Sequence, residues 1–467
     1  SIFLGTPFID IRVDFNSWLP KNLEDDTKEK LVNYYLNIFK NNHNYHDKVE
    51  FKILFTCFNA ETIERLKEIK TSILTIKEKN KVKNELKKIT ISSIQKIDDD
   101  IKKINKLKIK QQSVKKSNIY SIDKIYWLIE DCKRYGTEPF AGLARSGFIA
   151  VELLNSMVNK KIIEKNEKDL FFQNIKSITT EIINDKNLSK KNFCEKYGHL
   201  RPSTYDILSK NYSENYDYLF KNNSRNLNKP IIKKFKFSKK SKIKIINFLK
   251  ILDKKITLRK FIDYLRKGIQ YREYSKFIFT KSIDYIFDEI KYLSKRNDIN
   301  INKLSHINIK MVKQLYYNLN NKNVKDLLES NIKENMEDFK FNQFVELPQV
   351  IIKPSDVFYF TEKTAKPNFF GNNMVESEVY FLNSNNFKNL NNKIICIRGA
   401  DPGYDFIFNH KISGLITEYG GANSHMSIRC SELNIPAAIG VGSISFNDII
   451  NSKKVYLDPV AKKITTF

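Results

Sequence analysis

Glycine is scarce in this chain, with only 14 among 467 residues, so most of the backbone lacks the tight turns and close approaches that glycine permits. Cysteine is sparse too. Cys57, Cys132, Cys194, Cys396 and Cys430 show no Cys-x-x-Cys spacing, which argues against structural zinc and for a reducing compartment. No apolar run approaches the ~18 residues a membrane span needs, and no secretory signal opens the chain. No membrane insertion is expected, and the location should be cytoplasmic. Arginine is the scarce cation: 12 of the 81 basic residues are Arg, against 53 acids, for a net charge of +28. That charge raises nucleic acid as a partner. Lysine spread along the whole chain with abundant Asn and Ile reads instead as solvated surface, and no nucleic-acid module accompanies it. No nucleic-acid partner is expected, and each arginine becomes informative.

The glycine that is present is concentrated. Seven of the 14 (Gly399, Gly403, Gly414, Gly420, Gly421, Gly440 and Gly442) fall within GLITEYGGANSHMSIRCSELNIPAAIGVG and the residues just before it. Leu415 and Ile416 read as a strand, Gly420-Gly421 as a turn, and Asn423, Ser424 and His425 as the start of an amphipathic helix running to Asn434. A helix N-terminus offers unpaired N–H groups and a positive dipole end, so it disfavours imidazolium and accepts an anion. A neutral His425 there is a nucleophile with an anion cradle, to which Gly420, Gly421, Ser424 and Arg429 would contribute. The plainer alternative is a capping or core histidine. No residue cluster argues for a resident metal; His46, Asp47 and Glu50 fit a polar turn.

At 41% hydrophobic content the length suits two to four domains. Residues 1–65 are expected as a small α/β segment, with strands over Ile9–Phe15 and Val49–Phe55 flanking a helix over Lys28–Phe39. From Glu61 to Asn118 apolar residues three or four apart suggest a helical hairpin. In YGTEPFAGLARSGFIAVELL a Gly136–Pro139 turn precedes a helix whose Ala141, Gly142, Ala144 and Gly147 allow close approach of a backbone or a ligand. Arg145 among them suggests bidentate recognition, or a tie between helices. FCEKYGHLRPSTYDIL places Gly198, His199, Arg201 and Pro202 in a polar loop between helices. Asn222–Lys260 reads as a poorly constrained insertion or a loop-helix segment, and YREYSKFIF puts Arg272, Glu273 and Lys276 on a helix. A helical domain over 66–345 then gives way, at LPQVIIKPSD and Lys366–Asn368, to a domain over 350–467.

The series ICIRGADPGYDFIF, GLITEYGGANSH, NIPAAIGVG and VYLDP resembles the phosphohistidine swivelling domain of the phosphoenolpyruvate-utilising enzymes. Thr-Ser-His, usual there, is here Asn423-Ser424-His425, which keeps the histidine. YGHLRP is similar to the acceptor-domain segment of the branch that includes rifampicin phosphotransferase, phosphoenolpyruvate synthase-like proteins and L-glutamine kinase, and YREYSKFIF looks like the same branch. Too few residues follow His425 for the barrel that other members carry there. The resemblance implies an α+β multidomain protein, a mostly helical domain followed by a C-terminal α/β swivelling domain. It implies an AMP-forming, ATP-dependent phosphotransferase with His425 as the carrier and Arg145, His199, Arg201, Arg272 and Glu273 at the acceptor. The acceptor would be a small molecule, with glutamine in surface-polysaccharide biosynthesis and pyruvate as candidates. ATP and Mg²⁺ would bind on an ATP-grasp domain. No Gly-rich nucleotide loop precedes residue 136, and the chain starts at Ser1 rather than Met. That domain is therefore expected in a missing N-terminal portion or on a separate protein. A non-catalytic phosphocarrier, phosphorylated by a partner, is the alternative.

Overall fold

The computed structural model describes the chain apart from residues 1, 4–5, 177, 186–187, 221–234, 318–323, 343, 346, 349, 360–365, 383–389 and 423. Two compact units emerge. The first comprises Ser1–Lys108, Lys133–Ser177 and Ile231–Ile278; the second comprises Ile109–Cys132, Ile178–Pro230 and Phe279–Phe467. The protein is α+β, with helices through most of its length and a mixed sheet at the C-terminal end.

In the first unit the helices Ile11–Trp18 and Asp25–Asn41 bury Phe15 against Tyr35 and Phe39, with ring centroids 5.9 and 6.2 Å apart. Two expected strands are absent. Asp10 accepts hydrogen bonds from the Arg12 and Val13 amides and so starts a helix where apolar alternation suggested a strand. Val49–Lys52 is one helical turn, followed by a buried irregular stretch. Side chains satisfy that stretch: Phe58 N–H donates to Thr90 Oγ1 at 2.8 Å, and Arg65 Nη2 donates to the Ile53 and Leu54 carbonyls at 3.3 and 3.2 Å. Among the described residues, the strands in this region are β1 (Ile2–Phe3) and β2 (Thr6–Pro7), an antiparallel pair.

The expected hairpin is mostly one helix, Ile76–Lys116, of 41 residues. No glycine or proline interrupts it, and its apolar stripe includes Ile94, Ile97, Ile104 and Leu107, all buried. Gly136 does not open a turn either. It sits in a π-helical stretch, Lys133–Thr137, that joins Ser121–Cys132 to Glu138–Asn159, and Pro139 falls in the first turn, where its missing N–H costs nothing. The small residues there serve a backbone. A Cβ on Gly147 would lie 3.1 Å from the Gly268 carbonyl, and one on Gly268 would lie 2.8 Å from the Ser146 carbonyl, so the helix Leu258–Arg296 crosses at this point. Of the expected insertion or loop-helix segment, residues 222–234 lie outside the described residues; the rest includes the helix Lys239–Leu252 and the start of Leu258–Arg296.

Among the described residues the second unit shows two cores. Ile125, Leu128, Ile286, Ile290, Leu315 and Leu328 pack the helices Ser121–Cys132, Leu258–Arg296, Ile309–Tyr317 and Val324–Asn342 together. The other core belongs to a seven-stranded sheet: β3 (Asn368–Phe370), β4 (Val375–Phe381), β5 (Ile394–Gly399), β6 (Gly414–Tyr419), β7 (Ala437–Ile439), β8 (Lys454–Asp458) and β9 (Lys463–Thr466), in the order β3-β7-β6-β5-β4-β8-β9. β4 to β7 are parallel where they pair, while β3, β8 and β9 add antiparallel edges. Ile394 to Ile397 are all buried, as expected of a central parallel strand covered on both faces. At the boundary before the C-terminal domain, residues 349 and 360–365 lie outside the described residues, and Pro354–Val357 forms a 3₁₀ turn.

Candidate functional site

The carboxyl ends of β5 and β6 lie side by side, with Gly399 paired to Tyr419. In open α/β sheets this edge is where ligands bind. β6 leaves into Gly420, whose φ of +144° is open to glycine. The loop is tight: a Cβ at Gly440 would stand 2.5 Å from the Gly420 carbonyl oxygen. Ser424 then caps the helix His425–Leu433, its Oγ accepting from the Ser427 amide and lying 2.6 Å from Ser427 Oγ. His425 is thus the first helical residue, as the sequence indicated. Asn423 lies outside the described residues.

His425 is not presented to solvent. Its side chain is 6% exposed, and Nε2 lies 2.6 Å from Oδ1 of Asp405, which is 2% exposed. Asp405 belongs to a 3₁₀ helix, Pro402–Asn409, capped by Asp401, which accepts from the Gly403 amide at 2.7 Å. This turn rests on the polar loop that begins at Gly198. Tyr212 OH donates to the Gly403 carbonyl at 2.9 Å, and the Phe406 amide donates to Tyr212 Oη at 3.2 Å. Thr204 donates to Asp401 through Oγ1 at 2.8 Å and through its amide at 3.2 Å. Gly403 is obligatory there, because a Cβ would lie 1.6 Å from the Arg201 carbonyl oxygen. Residues 198–212 and His425 are therefore linked through a single turn.

These features together form a histidine at a helix N-terminus, behind a Gly-Gly turn, on the ligand edge of a parallel sheet. Residues 390–461 match the family model of the PEP-utilising enzyme, mobile domain. No curated protein matches the chain. The matched segment holds β5, the 402–409 turn, β6, His425 and β7. A mobile domain of this kind is the phosphohistidine-carrying, swivelling part of phosphotransferases in that family.

Within the matched segment the two arginines differ. Arg429 is 1% exposed and donates through Nη1 to Glu432, one turn along the helix. Arg398, which sequence reasoning did not single out, stands at the end of β5 with its side chain 64% exposed and Nη1 3.0 Å from Glu418. Its signal was its rarity: with Arg429 it completes the arginines of the matched segment. Asp405 was also missed. It is 20 residues from His425 and has no local spacing that marks it.

The expected acceptor residues fall in both units. His199 and Arg201 are in the second and are buried. Arg201 donates to the Ser209 carbonyl at 3.0 Å and to Asp284, and its guanidinium lies 4.9 Å from the Phe287 ring centroid; Asp284 also accepts from Asn211 Nδ2 at 2.9 Å. Arg201 thereby holds the loop in shape. Arg145 and Arg272 both lie in the first unit. Arg145 donates to the Ser17 carbonyl at 2.9 Å and covers the Trp18 ring at 4.8 Å. Arg272 covers the Phe148 ring at 4.9 Å, and Phe148 touches both Trp18 and Phe51, each with centroids 5.8 Å away. Two carboxyls complete this group, Asp14 and Glu50, both raised above the usual carboxylate range chiefly by burial, with Arg145 and Arg272 respectively acting against the rise. Glu273 neighbours Arg272 on the same helix and is half-buried. Among the described residues no group of three or more His, Cys, Asp or Glu is arranged to hold a metal ion, and no helix is long and apolar enough to cross a membrane.

Proposed function

We propose that the protein is an ATP-dependent, AMP-forming phosphotransferase that carries the phosphoryl group on His425. The observation that carries the reading is the placement of His425 at a capped helix N-terminus on the carboxyl edge of β5 and β6, within the segment that matches the mobile domain. Nε2 attacks the β-phosphorus of ATP; the bond to the AMP oxygen breaks as the N–P bond forms. Water then releases the terminal phosphate, and the acceptor's nucleophile breaks the N–P bond. The Gly420-Gly421 turn, Ser424 and the helix amides receive the phosphoryl oxygens, with Arg398 and Arg429 supplying positive charge nearby. ATP and its Mg²⁺ belong to an ATP-grasp domain, in cis or in trans, a reading that the match to the mobile domain supports.

The acceptor is a small molecule bearing a carboxylate, such as glutamine or pyruvate. Arg145 and Arg272, stacked on Trp18 and Phe148 beside Asp14, Glu50 and Glu273, support this class, because a guanidinium fixed on an aromatic face binds a carboxylate at little entropic cost. His199 and Arg201 shape the loop beneath the phosphohistidine turn.

The test is acceptor-dependent AMP release with the ATP-grasp domain supplied. Arg145→Ala and Arg272→Ala should lower acceptor turnover by roughly two to three orders of magnitude and leave phosphate-dependent exchange of AMP into ATP intact. Loss of that exchange in both variants would remove them from the acceptor site. Exchange without turnover for any carboxylate acceptor would favour a phosphocarrier.

A further inference from the structure

A carboxylate accepts hydrogen bonds, so at 2.6 Å from Asp405 Oδ1 the Nε2 atom of His425 donates, and it carries a hydrogen. A ring nitrogen in that state has no lone pair with which to attack phosphorus. The nitrogen must lose its proton, and the group in contact with that proton is Asp405. Both side chains are more than nine-tenths buried, so bulk water does not offer a competing route in this arrangement.

We propose that Asp405 is the proton acceptor for His425 and that the phosphoryl group replaces its carboxylate at Nε2. The inference rests on the reading that His425 is phosphorylated. In the step, the ring, which also carries a hydrogen on Nδ1, loses its Nε2 proton to Asp405 Oδ1 and becomes a neutral imidazole with a lone pair on Nε2. The freed lone pair forms the N–P bond, and the bond from phosphorus to the leaving group breaks with its electrons going to that group. The carboxyl then has to leave. A phosphoryl group and Asp405 cannot share one position on Nε2, and once the carboxyl has passed its proton on, a phosphoryl dianion beside the carboxylate in a buried site is strongly repelled. The 402–409 turn is what must move, and its ties to Tyr212 and Thr204 are the bonds that loosen. Loading the histidine thus loosens the seat on residues 198–212.

Phosphoramidate tests this without nucleotide, ATP-grasp domain or acceptor, because it transfers its phosphoryl group to histidine with ammonia as the leaving group. Nitrogen-15 and phosphorus-31 spectra of the full chain should show Nε2 protonated in the unloaded protein and the adduct at His425 on Nε2. Hydrogen exchange at the Phe406 amide should rise about tenfold on loading. Asp405→Asn should load at least about tenfold more slowly, the low end of what a positioned base contributes, and Asp405→Glu should recover part of the rate. An adduct on Nδ1, an unprotonated Nε2 before loading, unchanged exchange at Phe406 or undiminished loading in Asp405→Asn would each overturn the proposal. The spectra of the native protein decide the matter even if Asp405→Asn fails to fold. Should ATP with an ATP-grasp domain never load His425 while phosphoramidate loads it as described, the proposed reaction falls and the role of Asp405 stands.

Discussion

Glu152, in the first unit, is 7% exposed, and its Oε2 has no hydrogen-bond partner among the described residues. Burial is the main cause of its pKa rising from 4.5 to about 7, with Arg65 opposing the shift. The folded protein therefore keeps a proton on Glu152 at pH values where the unfolded chain has released it. Between about pH 4.5 and 7 the folded state binds more protons, so stability falls as pH rises through this window and stays lower above it. Glu152→Gln should unfold in urea with a stability gain on the order of 1–3 kcal/mol at pH 8 and almost none at pH 4. An equal change at both pH values would place the effect elsewhere. At this scale His425 was legible because a Gly-Gly turn and a capping serine stand directly before it. Asp405 was not, because its meaning depends on a fold that returns β6 and the helix after it to the 402–409 turn. Arg201 was legible as a special arginine, but its partner Asp284 lies 83 residues away, and nothing in YGHLRP announces it.

Among the elements, the strand–turn–helix around His425 could be read directly, since a buried parallel strand, paired glycines and a capped helix each leave a local mark. The strands expected at Ile9–Phe15 and Val49–Phe55 failed for the opposite reason. Their apolar spacing was compatible with either structure, and what decided was Asp10 as a cap in one case and the side chains of Thr90 and Arg65 in the other. The long helix was mistaken for a hairpin although no breaker interrupts it. The loop at 198–212 and the turn at 402–409 act as one assembly, which makes two substitutions informative. Arg201→Ala strands Asp284 as a buried charge and should cost about 3–5 kcal/mol. Gly403→Ala forces a Cβ into the Arg201 carbonyl and should disturb the same assembly, so both variants should expose the Phe406 amide to hydrogen exchange. If either leaves that amide as protected as in the native protein, the two segments are not coupled.

For the whole molecule, the α+β organisation follows from the contrast between a glycine-poor helical length and a glycine-rich C-terminal sheet. The division into two units did not, because two long helices, Ile76–Lys116 and Leu258–Arg296, contribute to both. Arg145 and Arg272 illustrate this: far apart in sequence, they cover Trp18 and Phe148, two rings that touch. The net charge of +28, mostly lysine, should give no more than the micromolar, salt-sensitive binding to DNA or RNA typical of non-specific contacts; tight binding with sequence preference would contradict that reading. The central claim is that His425 carries the phosphoryl group. The most direct measurement is incubation with β-labelled ATP and the ATP-grasp domain, followed by mapping of the label. The account predicts an acid-labile, base-stable adduct on a ring nitrogen of His425 that is absent from His425→Ala. Label that survives acid, or that persists in His425→Ala, would contradict it.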